Sequence, residues 1–179
     1  MKLVFIIVAS VYADLYFCEA GNTLGNQKIC EDSKQPININ VYGNGFQKPA
    51  ANIAAANKSD RTYSPHTVIK DWDVHNLNSY LGGGMKYTEG KLVVPICGVY
   101  FIYAQFYHLN GHAMYVNVNN KQRLRIQSPT HPLKHGTSYT GGVLHLNAGD
   151  VITTSTGPVT IKLYMQSTHS FFGAVFIGN

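Results

Sequence analysis

Histidine is the side chain best suited to acid–base and metal chemistry near neutral pH. This chain has eight, with only nine acidic residues to work beside them. His131 and His135 stand four apart. That spacing puts two imidazoles side by side only on a helix, and Pro132 and Gly136 favour a loop instead. The pair therefore reads as loop histidines, and His145, inside an apolar stretch, as a packed or interface residue. The chain has no Gly-x-Ser-x-Gly elbow, no His-Glu-x-x-His, no glycine-rich phosphate loop and no carboxylate pair at a useful spacing. It calls for no enzyme activity, no cofactor and no metal.

Three cysteines, Cys18, Cys30 and Cys97, suit an export route but form no framework. Nothing near Cys97 in sequence would lower its pKa, so it reads as a buried thiol rather than a nucleophile. Met1 and Lys2 precede an apolar run from Leu3 to Ala13, the pattern of a secretory signal peptide within residues 1–20, cut after Ala13 or after Ala20. A membrane span needs about 20 apolar residues, and Asp14 interrupts the run. An uncleaved signal anchor reaching Phe17, giving a type II membrane protein, is the alternative. Cleavage after Ala20 would remove Cys18 and leave Cys30 and Cys97 to pair with each other, to pair between subunits, or to stay reduced. Residues 21–47 are polar, contain Pro36 and read as a stalk. Asn57-Lys58-Ser59 is a glycosylation sequon, with Asn57 as the acceptor.

The formal charge of +5 is modest and spread out. Nucleic-acid binding would call for basic residues clustered on one face, and the export pattern argues further against it. Lys121, Arg123 and Arg125 alternate along one side of a strand, where they could meet an acidic protein surface or a sulphated glycosaminoglycan.

From Val68 onward, short apolar stretches alternate with turn signals such as Gly82-Gly83-Gly84, Glu89-Gly90 and Asn119-Asn120, and no stretch keeps a helical period. The chain is expected to be an all-β sandwich. Two kinds of strand are expected. Met114, Val116 and Val118 alternate with polar residues, as do Leu124 with Ile126 and Ile161, Leu163 with Met165; these read as outer strands with one face in water. Val99 to Ala104 and Phe171 to Ile177 are apolar on both faces. With Tyr139 to Leu146, where Gly141 and Gly142 allow close approach, they read as an inner sheet. One parity, Tyr100, Ile102, Leu144, Phe172, Ala174 and Phe176, packs on the outer sheet. The other, Phe101, Tyr103, Tyr139, Phe171 and Val175, is left for partner subunits. A large core in a lone chain could also bury both faces.

Leu92, Val94, then Gly98-Val99-Tyr100-Phe101-Ile102 and Gln105 resemble the signature strand of the tumour necrosis factor (TNF) ligand family. Lys48-Pro49-Ala50-Ala51-Asn52-Ile53 is similar to the first strand of such domains and Lys70-Asp71-Trp72 to their early tryptophan segment. Tyr139 to Val143 with Ala148-Gly149-Asp150 resembles the sixth strand and its turn. Phe171-Phe172-Gly173-Ala174-Val175 resembles the closing strand, most of all in ectodysplasin-type members. The likeness covers residues 48–179. It implies a two-sheet jelly roll assembling as a compact homotrimer, with aromatic residues at the matching positions Phe101, Tyr103, Tyr139, Phe171 and Val175 about the axis. It implies a secreted cytokine that clusters TNF-receptor-superfamily receptors along the grooves between subunits. Carried over by position, the edge residues there are Arg61, Tyr63, His108, Asn120, Lys121 and Tyr164. Two family features are missing. The cysteine pair of ectodysplasin-type domains is replaced by Arg125 or Ile126 and Ser138, and the aromatic that some relatives place at the hairpin tip is replaced by Asn119 and Asn120. The runner-up is a complement-type (C1q-like) globular head acting as a secreted pattern-recognition or matrix-binding module, against which stand the signature strand and the lack of a collagen-like repeat.

Overall fold

The computed structural model describes residues 47–127 and 135–178. The leader, nearly all of the polar stretch, Cys18, Cys30 and His131 lie outside the described residues. Along the chain run β1 (Ala50–Ala55), β2 (Asp60–Tyr63), β3 (Trp72–Asp73), β4 (Tyr80–Gly82), β5 (Lys86–Thr88), β6 (Lys91–Val93) and β7 (Gly98–His108). Then come β8 (Met114–Val118), β9 (Lys121–Ile126), β10 (Gly136–Leu146), β11 (Val151–Thr156), β12 (Ile161–Tyr164) and β13 (Phe171–Gly178).

These strands form two antiparallel sheets packed face to face as a jelly roll. In the larger sheet β7 is central. Its full length pairs with β10, from Gly98 opposite Leu146 to His108 opposite Gly136. Its other edge pairs first with β13 and then, at Tyr107 and His108, with β12. Strand β1 lies outside β13, β2 outside β12, and β3 and β4 outside β1. The smaller sheet runs β5-β6-β11-β8-β9. Two of its hairpins turn on residue pairs with positive φ, Glu89-Gly90 and Asn119-Asn120, the geometry that matches strand twist in a two-residue connection.

Burial along β7 alternates without a break: Gly98, Tyr100, Ile102, Ala104, Phe106 and His108 are buried and the residues between them are half-exposed. The buried parity meets Leu92, Met114, Val116, Ile126 and Ile152 of the smaller sheet in one core. Trp72 closes one end of it, its ring 4.9 Å from Phe172 and 5.6 Å from Phe106. The indole N–H donates to the Ile69 carbonyl at 3.1 Å, so the buried ring carries no unpaired donor. The parity expected from sequence for the inward face holds for Tyr100, Ile102, Phe172, Ala174 and Phe176, all buried, and for Leu144, which packs against the core.

Two placements differ from expectation. Ile161 and Leu163 alternate with exposed Lys162 as an outer strand should, yet β12 sits in the larger sheet against the end of β7. A period of two reports which side chains face the core, and that is the same from either sheet. Gly141 and Gly142 serve opposite faces. Leu124 of β9 lies over Gly142 inside the sandwich, while Phe101 and Tyr139 crowd the outward side of Gly141.

Gly141 and Gly173 flank Tyr103 in register, one on each neighbouring strand. The Tyr103 ring lies across Gly173, and its hydroxyl donates to Asn52 Oδ1 on β1 at 3.0 Å. A Cβ at Gly173 would collide with the Ala51 carbonyl oxygen, a backbone atom that cannot swing aside, and with the Tyr103 hydroxyl. Gly173→Ala is expected to cost about 1–3 kcal/mol and to lower the thermal midpoint by roughly 5 °C or more. Gly178→Ala, where a Cβ would meet nothing within 4 Å, should leave the midpoint unchanged in the same calorimetric comparison.

Candidate functional site

The outward face of the larger sheet is built of cross-strand rows. Ala50, Val175, Phe101 and Val143 form one, Asn52, Gly173, Tyr103 and Gly141 the next, and Ala54, Phe171, Gln105 and Tyr139 a third. No element of the described chain covers the middle of this face. Val143 is 58% exposed, Tyr139 53%, Ile177 51% and Val175 40%, a contiguous apolar surface of the kind that marks a contact site. Phe101 stacks beside Tyr103 with centroids 5.9 Å apart, and Phe171 meets Tyr103 edge-on at 6.3 Å. All five residues expected to face partner subunits, Phe101, Tyr103, Tyr139, Phe171 and Val175, share this face. Val143 and Ile177 were missed, although the same period of two that selects Tyr139 and Val175 reaches Val143 four residues on and Ile177 two residues on. His145 is exposed on this face too, opposite Val99.

Towards the end of β7, Tyr107, Tyr164 and His169 form an edge-to-face cluster with centroids 5.3–5.8 Å apart. His135 stacks on Tyr107 at 6.4 Å, so this loop histidine meets an aromatic ring. Among the described residues no group of His, Cys, Asp or Glu is placed to hold a metal ion.

The six edge residues separate into two groups. Arg61, Tyr63, His108 and Tyr164 gather where β7 ends, since Leu163 pairs with both Arg61 and His108. Asn120 and Lys121 lie at the other end, where the Asn119 amide donates to Asp150 Oδ1 at 2.8 Å and Val151 N–H donates back to Asn119 Oδ1 at 2.9 Å. An 11-residue strand separates the groups, about 36 Å at the usual rise.

Two of the six are corrected. Tyr63 is buried in β2, not exposed in a loop, and its hydroxyl donates to Asp71 Oδ2 at 2.7 Å. Burial, and then the bond to Asp71, raise its pKa. His108 is wholly buried because the alternation of β7 carries it inward, despite its polarity. Neither side chain is available to a partner. Asp71 is the residue that organises this corner: Lys58 Nζ reaches it at 2.7 Å and Arg61 Nε at 3.3 Å. Burial pushes the Asp71 carboxyl up, but the hydrogen bonds from Lys58 and Tyr63 and the charges of Lys58 and Arg61 together hold it below the usual range. Arg61 and Lys162, the latter 2.9 Å from Asp60, thus carry partly matched charges. At the opposite end Lys121, Arg123 and Arg125 are exposed, and none of them joins an ion pair among the described residues.

Asn57 is exposed in the turn after β1, with φ of 53° and its Oδ1 accepting from Ser167 N–H at 2.9 Å. Cys97 is buried and disulfide-bonded, and its sulfur accepts from Ala148 N–H at 3.3 Å. The reduced thiol expected as one option is thereby corrected.

Residues 70–124, from the tryptophan segment through β7 and into β9, match the model of the TNF (Tumour Necrosis Factor) family. Tumor necrosis factor of Oryctolagus cuniculus is 27% identical over 175 residues, covering 81% of this chain and 74% of the relative. Over these stretches the chain resembles the TNF ligand family. Its fold is shared with solved structures. Eiger TNF from S. frugiperda superposes with a TM-score of 0.61 at 20% identity, over 74% of this chain and 94% of that one. Murine APRIL at pH 5.0 gives 0.55 at 20% identity, over 73% of this chain and all of that one. These TNF relatives do not single out the ectodysplasin type that the closing strand resembles.

His108 also carries a pH signature of this TNF fold. Among the described residues neither ring nitrogen has a hydrogen-bond partner, and burial, aided by the charge of His112, lowers its pKa to about 4. The unfolded chain binds the proton more readily, so the stability due to neutral His108 is intact above pH 6.5 and is lost as the pH falls towards 4. At ~1.4 kcal/mol per pH unit the loss approaches about 3 kcal/mol. His108→Leu should flatten the dependence of the melting temperature on pH between 6.5 and 4; an unchanged slope would assign the acid sensitivity elsewhere.

Proposed function

We propose that this protein is a secreted, homotrimeric TNF-like cytokine that binds and clusters receptors of the TNF receptor superfamily. The observation that carries the proposal is the uncovered apolar face of the larger sheet. Three copies brought together through Phe101, Tyr103, Tyr139, Phe171 and Val175 remove that surface from water, the dominant drive for association. Each pair of neighbours then frames a groove. Arg61 and Tyr164 lie at one end of it and Asn120 and Lys121 at the other, which suits an elongated receptor lying lengthwise. Three grooves hold three receptors at fixed spacing, and multivalent attachment to a cell surface strengthens binding without new contacts.

The unmatched charge of Lys121, Arg123 and Arg125 supports the hairpin end as the place where an acidic receptor surface is drawn in. The same strip offers a sulphated glycosaminoglycan an accessory contact. A glycan on Asn57 would project from the opposite end and leave the strip open. Among the described residues no helix is long and apolar enough to cross a membrane. Secretion rests on the leader pattern of residues 1–20.

Tyr139 is half-exposed in the single chain, so Tyr139→Asp should leave the fold intact by circular dichroism while burying an unpaired charge in each interface. Sedimentation of the secreted product at low micromolar concentration is expected to give trimers for the parent and monomers for the variant. Trimers in both would refute the axis. Lys121→Glu should keep the trimer and slow capture of the receptor ectodomain several-fold, more at low salt than at high. Unchanged capture would remove the hairpin from the receptor site.

A further inference from the structure

The outward side of the smaller sheet carries a feature that the assembly proposed above does not use and that shares only Asn120 with the proposed receptor groove. Tyr115 of β8 stands opposite Ser155 of β11, and Asn117 stands opposite Thr153 on one side and Gln122 of β9 on the other. The segment holding His66 and Val68 lies along the far edge, Val68 bridging to Ser155. Between these walls runs a groove of about 440 Å³, within the ~300–1,000 Å³ typical of small-molecule sites.

Its chemistry is unusual for such a site. Amide and hydroxyl groups surround the Tyr115 ring, with the His66 imidazole, Val68 and Pro158 completing the lining, and no Asp, Glu, Lys or Arg lines it. Asn117 Nδ2 donates to Ser155 Oγ at 2.9 Å, which fixes the floor and turns the Asn117 carbonyl oxygen to acceptor duty. Among the described residues the Tyr115 hydroxyl and the Asn120 and Gln122 amides make no hydrogen bond to the chain, so they are available to a ligand. An anion would find no Lys or Arg in the lining, and an apolar ligand would strand these polar groups without partners. A sugar ring answers both conditions. Each of its hydroxyls donates and accepts, and its C–H face can lie on a tyrosine ring, whose body is apolar and whose tip is polar.

We infer that this groove binds an uncharged saccharide, with Tyr115 as the platform and Asn117, Asn120, Gln122 and Ser155 as hydrogen-bond partners. The site faces away from the larger sheet, so occupancy and self-assembly do not compete. The basic residues of β9 stand outside the lining and provide the contrasting arm of the test.

The full-length secreted chain would be applied to an array of uncharged hexose and N-acetylhexosamine oligomers beside heparin fragments, with the strongest uncharged ligand then followed by saturation-transfer NMR. Uncharged oligomers are expected to bind, to lose about tenfold in affinity with Tyr115→Ala, to weaken with Gln122→Ala at the exposed hairpin, and to bind Lys121→Glu as well as the parent. Binding to heparin fragments alone, no binding to uncharged oligomers, or uncharged binding indifferent to both groove variants would overturn the inference. Receptor capture by Tyr115→Ala and Gln122→Ala reads the cytokine proposal separately, because neither residue is among those assigned to the receptor.

Discussion

Strand β7 exchanges backbone hydrogen bonds with β10 along one whole edge and with β13 and then β12 along the other, which leaves its side chains no choice of face. A slip of one residue would turn Tyr100, Ile102 and Phe106 out of the core and bring Phe101, Tyr103 and Gln105 in. The smaller sheet covers only one side of this strand. What remains on the other side is decided by the same hydrogen bonds that build the core, so stability and surface chemistry are two results of one register. A chain with a third layer could hide both faces alone. Among the described residues there is no such layer.

How much of this was legible beforehand follows from what a period of two can report. The faces of β7, β10 and β13 could be read because β-branched and aromatic residues occupy both parities there, while polar residues fill one parity of β8 and β9. The sheet to which β12 belongs could not, since Ile161 and Leu163 face the same core from either layer. Tyr63 and His108 misled for a related reason. Polar tips suggest surface, but Tyr63 is drawn in by Asp71, eight residues away in sequence, and His108 is the last inward position of a strand longer than its apolar run. Asp71 itself carried no local signal, because its importance arises only where β2, the turn before it and the tryptophan segment converge. The groove on the smaller sheet likewise needs β8, β9, β11 and the segment at His66 to be brought together before it exists.

The charges divide along the same geometry. Near Asp71 the basic residues are balanced by carboxylates within hydrogen-bonding distance, which makes that corner a structural clasp more than an attractive field. At the Asn119-Asn120 hairpin Lys121, Arg123 and Arg125 join no ion pair among the described residues, and a potential that reaches roughly a Debye length, about 8 Å at physiological salt, extends into solvent from there.

Tyr103 ties the centre of the larger sheet to its rim. Its hydroxyl grips Asn52, and the Asn52 amide in turn donates to the carbonyl of Asn78 at 2.7 Å, in the segment that leads into β4. The ring that lies in the middle of the uncovered face is thus the first link of a short polar brace ending in a surface loop. Fraying of that loop would be felt as slack in the tyrosine, and a neighbour pressing on the tyrosine would hold the loop shut.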